Sequence, residues 1–141
     1  MRWSARRCFL YSIAYEDMTS HLERSFDHCA WLAKLPTSVP EYRFAAAHVG
    51  LGPGLRGRLA AIGFHDWRFD RAWLNRRVFV ELEGGVYVGG RHTRGSGYSS
   101  DCAKYNAATL LSWRGLRFTS QMLKSDPMGC MEQIRVLLAR R

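Results

Sequence analysis

Helical spacing of apolar residues begins just after residue 20, where Leu22, Phe26, Cys29, Ala30 and Ala33 fall on one face. Ser20 with Glu23 three residues later forms a capping box, and Pro36 closes the segment. Tyr42-Arg-Phe44 reads as a short strand. Residues 48–63 hold five glycines, Pro53, Arg56 and Arg58, and read as a surface insertion in which a short helix around 55–62 is an option. Two β-rich runs follow, Trp67-Arg-Phe-Asp-Arg-Ala-Trp73 and Val78-Phe-Val-Glu-Leu-Glu83, with Asn75-Arg76 between them as a two-residue turn. That turn pairs residue 74 with 77 and, continued outward, sets Asp70 opposite Glu81. Alternation places Val78, Val80 and Leu82 on one face and Phe79, Glu81 and Glu83 on the other. Asp70, Glu81 and Glu83 are thereby expected to converge on one face of a hairpin.

Gly84-Gly85 breaks the second run, and a polar loop occupies residues 89–97. Asp101 to Trp113 reads as a helix with Ala103, Ala107, Leu110 and Leu111 inward, Asp101 as its cap and Gly115 as its stop. Leu116-Arg-Phe-Thr119 is a short strand. Asp126-Pro127 supplies the N-cap and first-turn proline of a last helix, with Met131, Ile134, Leu137 and Leu138 inward. The order α-β-β-β-α-β-α predicts a single-domain α/β fold, a mixed sheet flanked by helices, over residues 18–141. Met18 offers a second start just before the first helix, so residues 1–17 read as an N-terminal extension.

Charge changes this picture. Lysine and arginine total 21 against 12 acids in 141 residues, a formal net charge of +9. All but Lys34, Lys104 and Lys124 are arginine, whose planar fork suits phosphate oxygens. Nucleic acid is the expected partner of such a field. No apolar run approaches the ~20 residues that span a bilayer, so no membrane partner is expected. Cys8, Cys29, Cys102 and Cys130 form no CxxC pair and the five histidines are scattered, which removes zinc-ribbon and thioredoxin-like readings. Arg2, Arg6 and Arg7 precede a short apolar stretch, but it runs into Glu16-Asp17 without a small-residue cleavage site, and no N-x-S/T sequon occurs. Reduced thiols in the cytoplasm are the expectation.

Three of twelve acids grouped on one hairpin of an arginine-rich chain invite a cation to explain them. Carboxylates that hold Mg²⁺ with open water positions are a common means of hydrolysing a phosphodiester. The opposing reading is that Asp70 or Glu83 pairs with Arg68, Arg71 or Arg91. Arg91, Arg94 and Lys104 are expected to contact phosphates, with Arg56 and Arg58 as a second basic group. His92, in the Gly- and Arg-rich loop, is a candidate base or water-positioning group. Trp67, Trp73 and Trp113 are expected in the core, and the Gly-rich loop lacks the Lys-Ser/Thr end of a P-loop.

Trp67-Arg-Phe-Asp70, Val80-Glu-Leu-Glu-Gly84, Gly90-Arg-His-Thr-Arg-Gly-x-Gly97, Asp101, Lys104-Tyr-Asn-Ala107 and Trp113-Arg-x-Leu-Arg-Phe-Thr119 together resemble the PD-(D/E)XK nuclease superfamily. The branch they resemble is that of small phage and bacterial endonucleases related to very-short-patch-repair enzymes. The resemblance implies a restriction-endonuclease-like fold, with Asp70 and Glu81 as metal carboxylates and Glu23 approaching the same site. It further implies Mg²⁺, replaceable by Mn²⁺, and cleavage that leaves a 5′-phosphate and a 3′-hydroxyl. Glu83 stands where the signature has lysine, and Phe69 where it has proline. The implied activity is a metal-dependent DNA endonuclease, with mismatch, nick and junction substrates all open and a homodimer compatible. The alternative is a non-catalytic nucleic-acid-binding protein with a nuclease-like fold; a basic structural domain leaves the acids unexplained.

Overall fold

Ser20 opens the first helix as its pattern requires. In the computed structural model, which describes residues 20–84 and 94–140 (the backbone alone for 94–96), α1 spans His21–Leu32. Its capping box is complete: Glu23 N–H donates to Ser20 Oγ at 3.2 Å, and Ser20 N–H donates to Glu23 Oε2 at 2.7 Å. Strand β1 (Val39–Tyr42) follows, then two short helices, α2 (Phe44–Val49) and α3 (Leu55–Ala61). The hairpin is β2 (Phe69–Trp73), a 3₁₀ turn at Leu74–Arg76, and β3 (Val78–Glu83). Helix α4 (Arg94–Leu110), β4 (Arg114–Thr119), α5 (Ser120–Ser125) and α6 (Pro127–Ala139) complete the chain.

The four strands lie in the order β1-β2-β3-β4, antiparallel as far as β3, with β4 added parallel. Helices cover both faces of this mixed sheet. One core joins Phe26 of α1, Trp73, Val78, Val80 and Phe118 of the sheet, and Met131 and Ile134 of α6. The other joins Phe44, Leu59, Phe69, Ala72 and Phe79 to Ala107, Ala108 and Trp113. In the second core Phe44, Phe69 and Phe79 stack at 4.1 and 4.0 Å between centroids, with Tyr105 continuing at 6.1 Å. Gly115 permits this: a Cβ there would sit 2.2 Å from the Phe79 ring, which Phe69 and Tyr105 hold between them. Among the described residues, no helix is long and apolar enough to cross a membrane.

Several expected boundaries move. The first strand is Val39–Tyr42 rather than 42–44, because Phe44 and the alanines after it, good helix formers, begin α2. Helix α4 starts at Arg94, seven residues before the expected Asp101, so Asp101 lies mid-helix and caps nothing. Its buried face holds Ala107 and Ala108, while Leu110 is 80% exposed and Ala103 also faces solvent. Ser112, at φ 63°, turns the chain, and Gly115 is a strand residue, not the helix stop. The insertion at 48–63 is partly ordered as α3. Trp73 and Trp113 are buried, as expected, and Trp67 is half-buried. The extension at 1–17 lies outside the described residues.

Candidate metal centre at the strand ends

The hairpin register is the expected one: Trp73 pairs with Val78, Ala72 with Phe79 and Arg71 with Val80. The connection differs, since the 3₁₀ turn and Arg77 at φ 48° replace a two-residue turn. At Asp70 the ladder ends. Its Oδ2 accepts the Leu82 N–H at 2.6 Å, so a side chain takes the backbone's place and the strands part there. Phe69 and Ala72 both join the α4-side core, which strict alternation forbids, so the chain is twisted across Asp70.

The three acids expected on one face stay within electrostatic reach, Asp70 and Glu83 both acting on Glu81, but each takes a different partner. Asp70 gathers with Glu23 of α1 and Glu41 of β1; one carboxylate oxygen from each lies within 4.8 Å of the others. Glu81 points instead to α4, where Lys104 Nζ is 2.8 Å from its Oε1. Oε1 has no other polar partner among the described residues. Glu83 Oε1 accepts from Arg117 Nε at 2.9 Å and Nη2 at 2.7 Å, and Arg117 lies 4.4 Å over the Tyr105 ring and 3.9 Å from Asp101. Lys104, expected on a phosphate, is thus held against Glu81, on the face of α4 that also carries Ala107 and Ala108.

Glu41 was not legible as a site residue. It stands in the left-handed region at φ 49°, between the Pro40–Arg71 and Tyr42–Phe69 pairs. A non-glycine residue there costs about 1–2 kcal/mol, and such strain concentrates at functional sites. Its carboxylate also lies 3.8 Å from Arg68. Glu41→Gly should relieve the strain and stabilise the metal-free protein by about 0.5–1 kcal/mol, after the entropy cost of glycine. Urea unfolding in chelator checks this; a loss of stability would mean that the carboxylate, not the backbone, dominates.

Arg71 organises the cluster from below. Only 1% exposed, it donates to Asp27 through Nε and Nη2, both at 2.8 Å, and through Nη1 to the Asp70 carbonyl at 2.7 Å, with Glu23 Oε1 3.5 Å away. Burial raises the Asp70 carboxyl above its ordinary range, opposed by the Leu82 N–H and Lys104. Burial pushes Glu81 up to about 7, with Lys104 opposing and Asp70 and Glu83 adding to the rise. A carboxyl that holds its proton more tightly folded than unfolded loses stability as pH climbs from its ordinary 4.5 to about 7. Glu81→Gln should therefore gain on the order of 2 kcal/mol over wild type at pH 8, and converge with it near pH 4. Urea unfolding without divalent cation checks this; equal gains at both pH values would contradict it.

The donor set suits a divalent ion. Oxygens about 2.0–2.6 Å from Mg²⁺ or Ca²⁺ lie up to ~4–5 Å from one another across the ion, close to the spacing of the three acids. By the contacts described, the linked set holds Glu23, Asp27, Glu41, Asp70, Glu81, Glu83 and Asp101 against Arg68, Arg71, Lys104 and Arg117. Among the described residues of this set carboxylates outnumber cations, the reverse of the balance of a chain carrying +9.

Of the other expected residues, Arg91 and His92 lie outside the described residues, as does the Arg94 side chain. Arg56 is exposed beside Phe64 and His65. Arg58 is spent within its own loop, donating to the carbonyls of Val49, Pro53 and Gly50 at 3.2, 2.6 and 2.5 Å, so its donors are engaged by backbone rather than presented to phosphate. The chain matches no family model, no curated protein and no solved structure.

Proposed function

We propose that the protein is a divalent-metal-dependent DNA endonuclease of the PD-(D/E)XK type, working at the sheet end formed by Asp70 and Glu81. The observation that carries this reading is the excess of carboxylates, with Glu23, Glu41 and Asp70 oxygens within 4.8 Å, in a strongly basic chain. Asp70, Glu23 and Glu41 would hold the cation. When bound, it supplies Lewis-acid charge to a phosphate oxygen and acidity to water.

The chain's own groups do the rest. The Leu82 N–H fixes the Asp70 carboxylate through Oδ2. Glu81, pushed up to about 7 by burial, is placed to take or release a proton across neutral pH. Lys104 stands on Glu81 from α4 and brings the one ammonium of the site, the charge that the signature places at position 83. Glu83 then serves to hold Arg117 beside Tyr105 rather than to replace the lysine chemically. Arg91, Arg94 and Arg56 supply phosphate contacts, and His92 the remaining candidate proton acceptor.

A second reading, a nucleic-acid-binding protein without catalysis, is favoured by one observation: Glu81, Glu83 and Glu23 are each already ion-paired. Supercoiled plasmid separates the two. Nicking or linearisation with Mg²⁺ or Mn²⁺, abolished by chelator, is expected; binding without cleavage under every metal supports the second reading. A panel of linear, mismatched, nicked and four-way-junction DNA then assigns the substrate.

A further inference from the structure

The end of the sheet opposite the acids is as one-sided as the acid end, with the sign reversed. Lys34 follows α1, Arg76 and Arg77 occupy the hairpin turn, Arg114 opens β4, and Arg135 and Arg140 lie on and after α6. These segments are tied together. Arg114 Nη2 donates to the carbonyls of Arg76 and Arg140 at 3.3 and 3.0 Å, Arg77 Nη1 to Leu111 O at 2.7 Å, and Arg135 Nη2 to Ala33 O at 2.6 Å. Lys34, Arg76 and Arg135 line one groove of about 370 Å³, floored by Leu35, Pro36 and Trp73.

The acids of the described chain are elsewhere. Glu132, paired with Arg135, is the one at this end. Asp66 pairs with Arg43, Asp126 caps α6 at its far terminus, and the rest belong to the metal-centre set. Lys34, Arg76 and Arg140 have no side-chain hydrogen bond or ion pair among the described residues, and all three are exposed. Strand β3, Val78–Glu83, separates the two ends by about 17 Å at ~3.3 Å per residue.

From this arrangement we infer a second nucleic-acid surface at the turn end of the sheet, where Lys34, Arg76 and Arg140 engage backbone phosphates remote from the cleavage site. The inference rests on the nuclease reading for its ligand. Guanidinium forks outnumber ammonium here five to one among the named residues, which suits phosphodiester oxygens. The unpaired cations sit on anchored segments, so little ordering is required when phosphate binds. Among the described residues, the metal-centre set holds more carboxylates than cations. A remote cationic surface adds to the phosphate contacts assigned to Arg91, Arg94 and Arg56.

The test is fluorescence anisotropy of a labelled 20-base-pair duplex in chelator across a salt series, for wild type and for Lys34→Gln/Arg76→Gln/Arg140→Gln. The triple variant should lose affinity at least tenfold in low salt, and its log–log slope should flatten by about 0.9 for each phosphate contact removed. Arg76→Lys/Arg140→Lys should restore most of the slope. An unchanged slope and affinity in the triple variant overturn the surface. So does a variant that melts earlier yet binds like wild type, which would leave these cations as partners of the helix C-termini alone. Loss of binding to phosphatidylserine vesicles with DNA binding intact overturns it in favour of a membrane. Should the triple variant fail to fold, Lys34→Gln alone, which removes no contact, still reads the slope. Since binding is measured without divalent cation, plasmid cleavage by wild type tests the nuclease reading separately: either can fail while the other stands.

Discussion

Asp70→Asn is expected to lower DNA cleavage on the order of 10³-fold or more while leaving the fold and DNA binding in place. The amide oxygen of asparagine still accepts the Leu82 N–H, which aspartate accepts at 2.6 Å, so the splayed strand end survives. What disappears is one negative charge among three close carboxylates. A cation loses a ligand, and an approaching phosphate loses a repulsion, so DNA affinity in chelator should hold or rise slightly. Alanine is the poorer probe, because it strands the Leu82 N–H at a cost of about 1–3 kcal/mol and mixes stability with chemistry. Single-turnover cleavage with saturating protein reads the rate, and anisotropy reads the binding. A variant that cuts at the wild-type rate would remove Asp70 from the chemistry.

Arg71→Met is expected to produce the largest loss of stability, about 3 kcal/mol or more. The guanidinium is buried at 1% exposure, and its burial is offset by two hydrogen bonds to Asp27, one to the Asp70 carbonyl and the charge of Glu23. Methionine fills much of the volume but leaves Asp27 and Glu23 without their guanidinium and the Asp70 carbonyl without its donor. Against a total of about 5–15 kcal/mol, that is a large fraction. Arg71→Lys should recover only part, since one ammonium cannot meet Asp27 with two parallel bonds. The measurement is the urea midpoint at constant m-value. A shift worth less than ~1 kcal/mol would show that solvent, not Arg71, screens these acids.

The hairpin register was legible because alternating β-rich runs flank a short polar break, and the register is the one observed from Arg71 to Val80 even though the turn itself is a 3₁₀ turn rather than the expected dipeptide. The capping box at Ser20 and the Asp126-Pro127 helix start were legible as well, each being a local interaction complete within four residues. The separate partners of Asp70, Glu81 and Glu83 were not. They depend on Asp70 leaving the ladder to take the Leu82 N–H, an exchange that no pattern of apolar residues records. Glu41 was hidden because a left-handed glutamate inside a strand contradicts its own propensity and is imposed by the surrounding sheet. Lys104 was misplaced through helix phase: the apolar pattern put Ala103 and Leu110 inward, whereas the buried stripe is Ala107–Ala108, which brings Lys104, three and four residues earlier, to the same face. With that phase, Lys104 and Tyr105 turn toward Glu81 and the aromatic stack, and Leu110 turns out.

Titration of the protein with Mn²⁺, followed by loss of the free-ion paramagnetic resonance signal, tests the metal centre most directly, for wild type beside Asp70→Asn and Glu41→Gln. Wild type should take up the ion at a saturable site that Mg²⁺ displaces, and each variant should weaken that site at least tenfold. Uptake by both variants with unchanged affinity and stoichiometry would contradict a cation held by Glu23, Glu41 and Asp70.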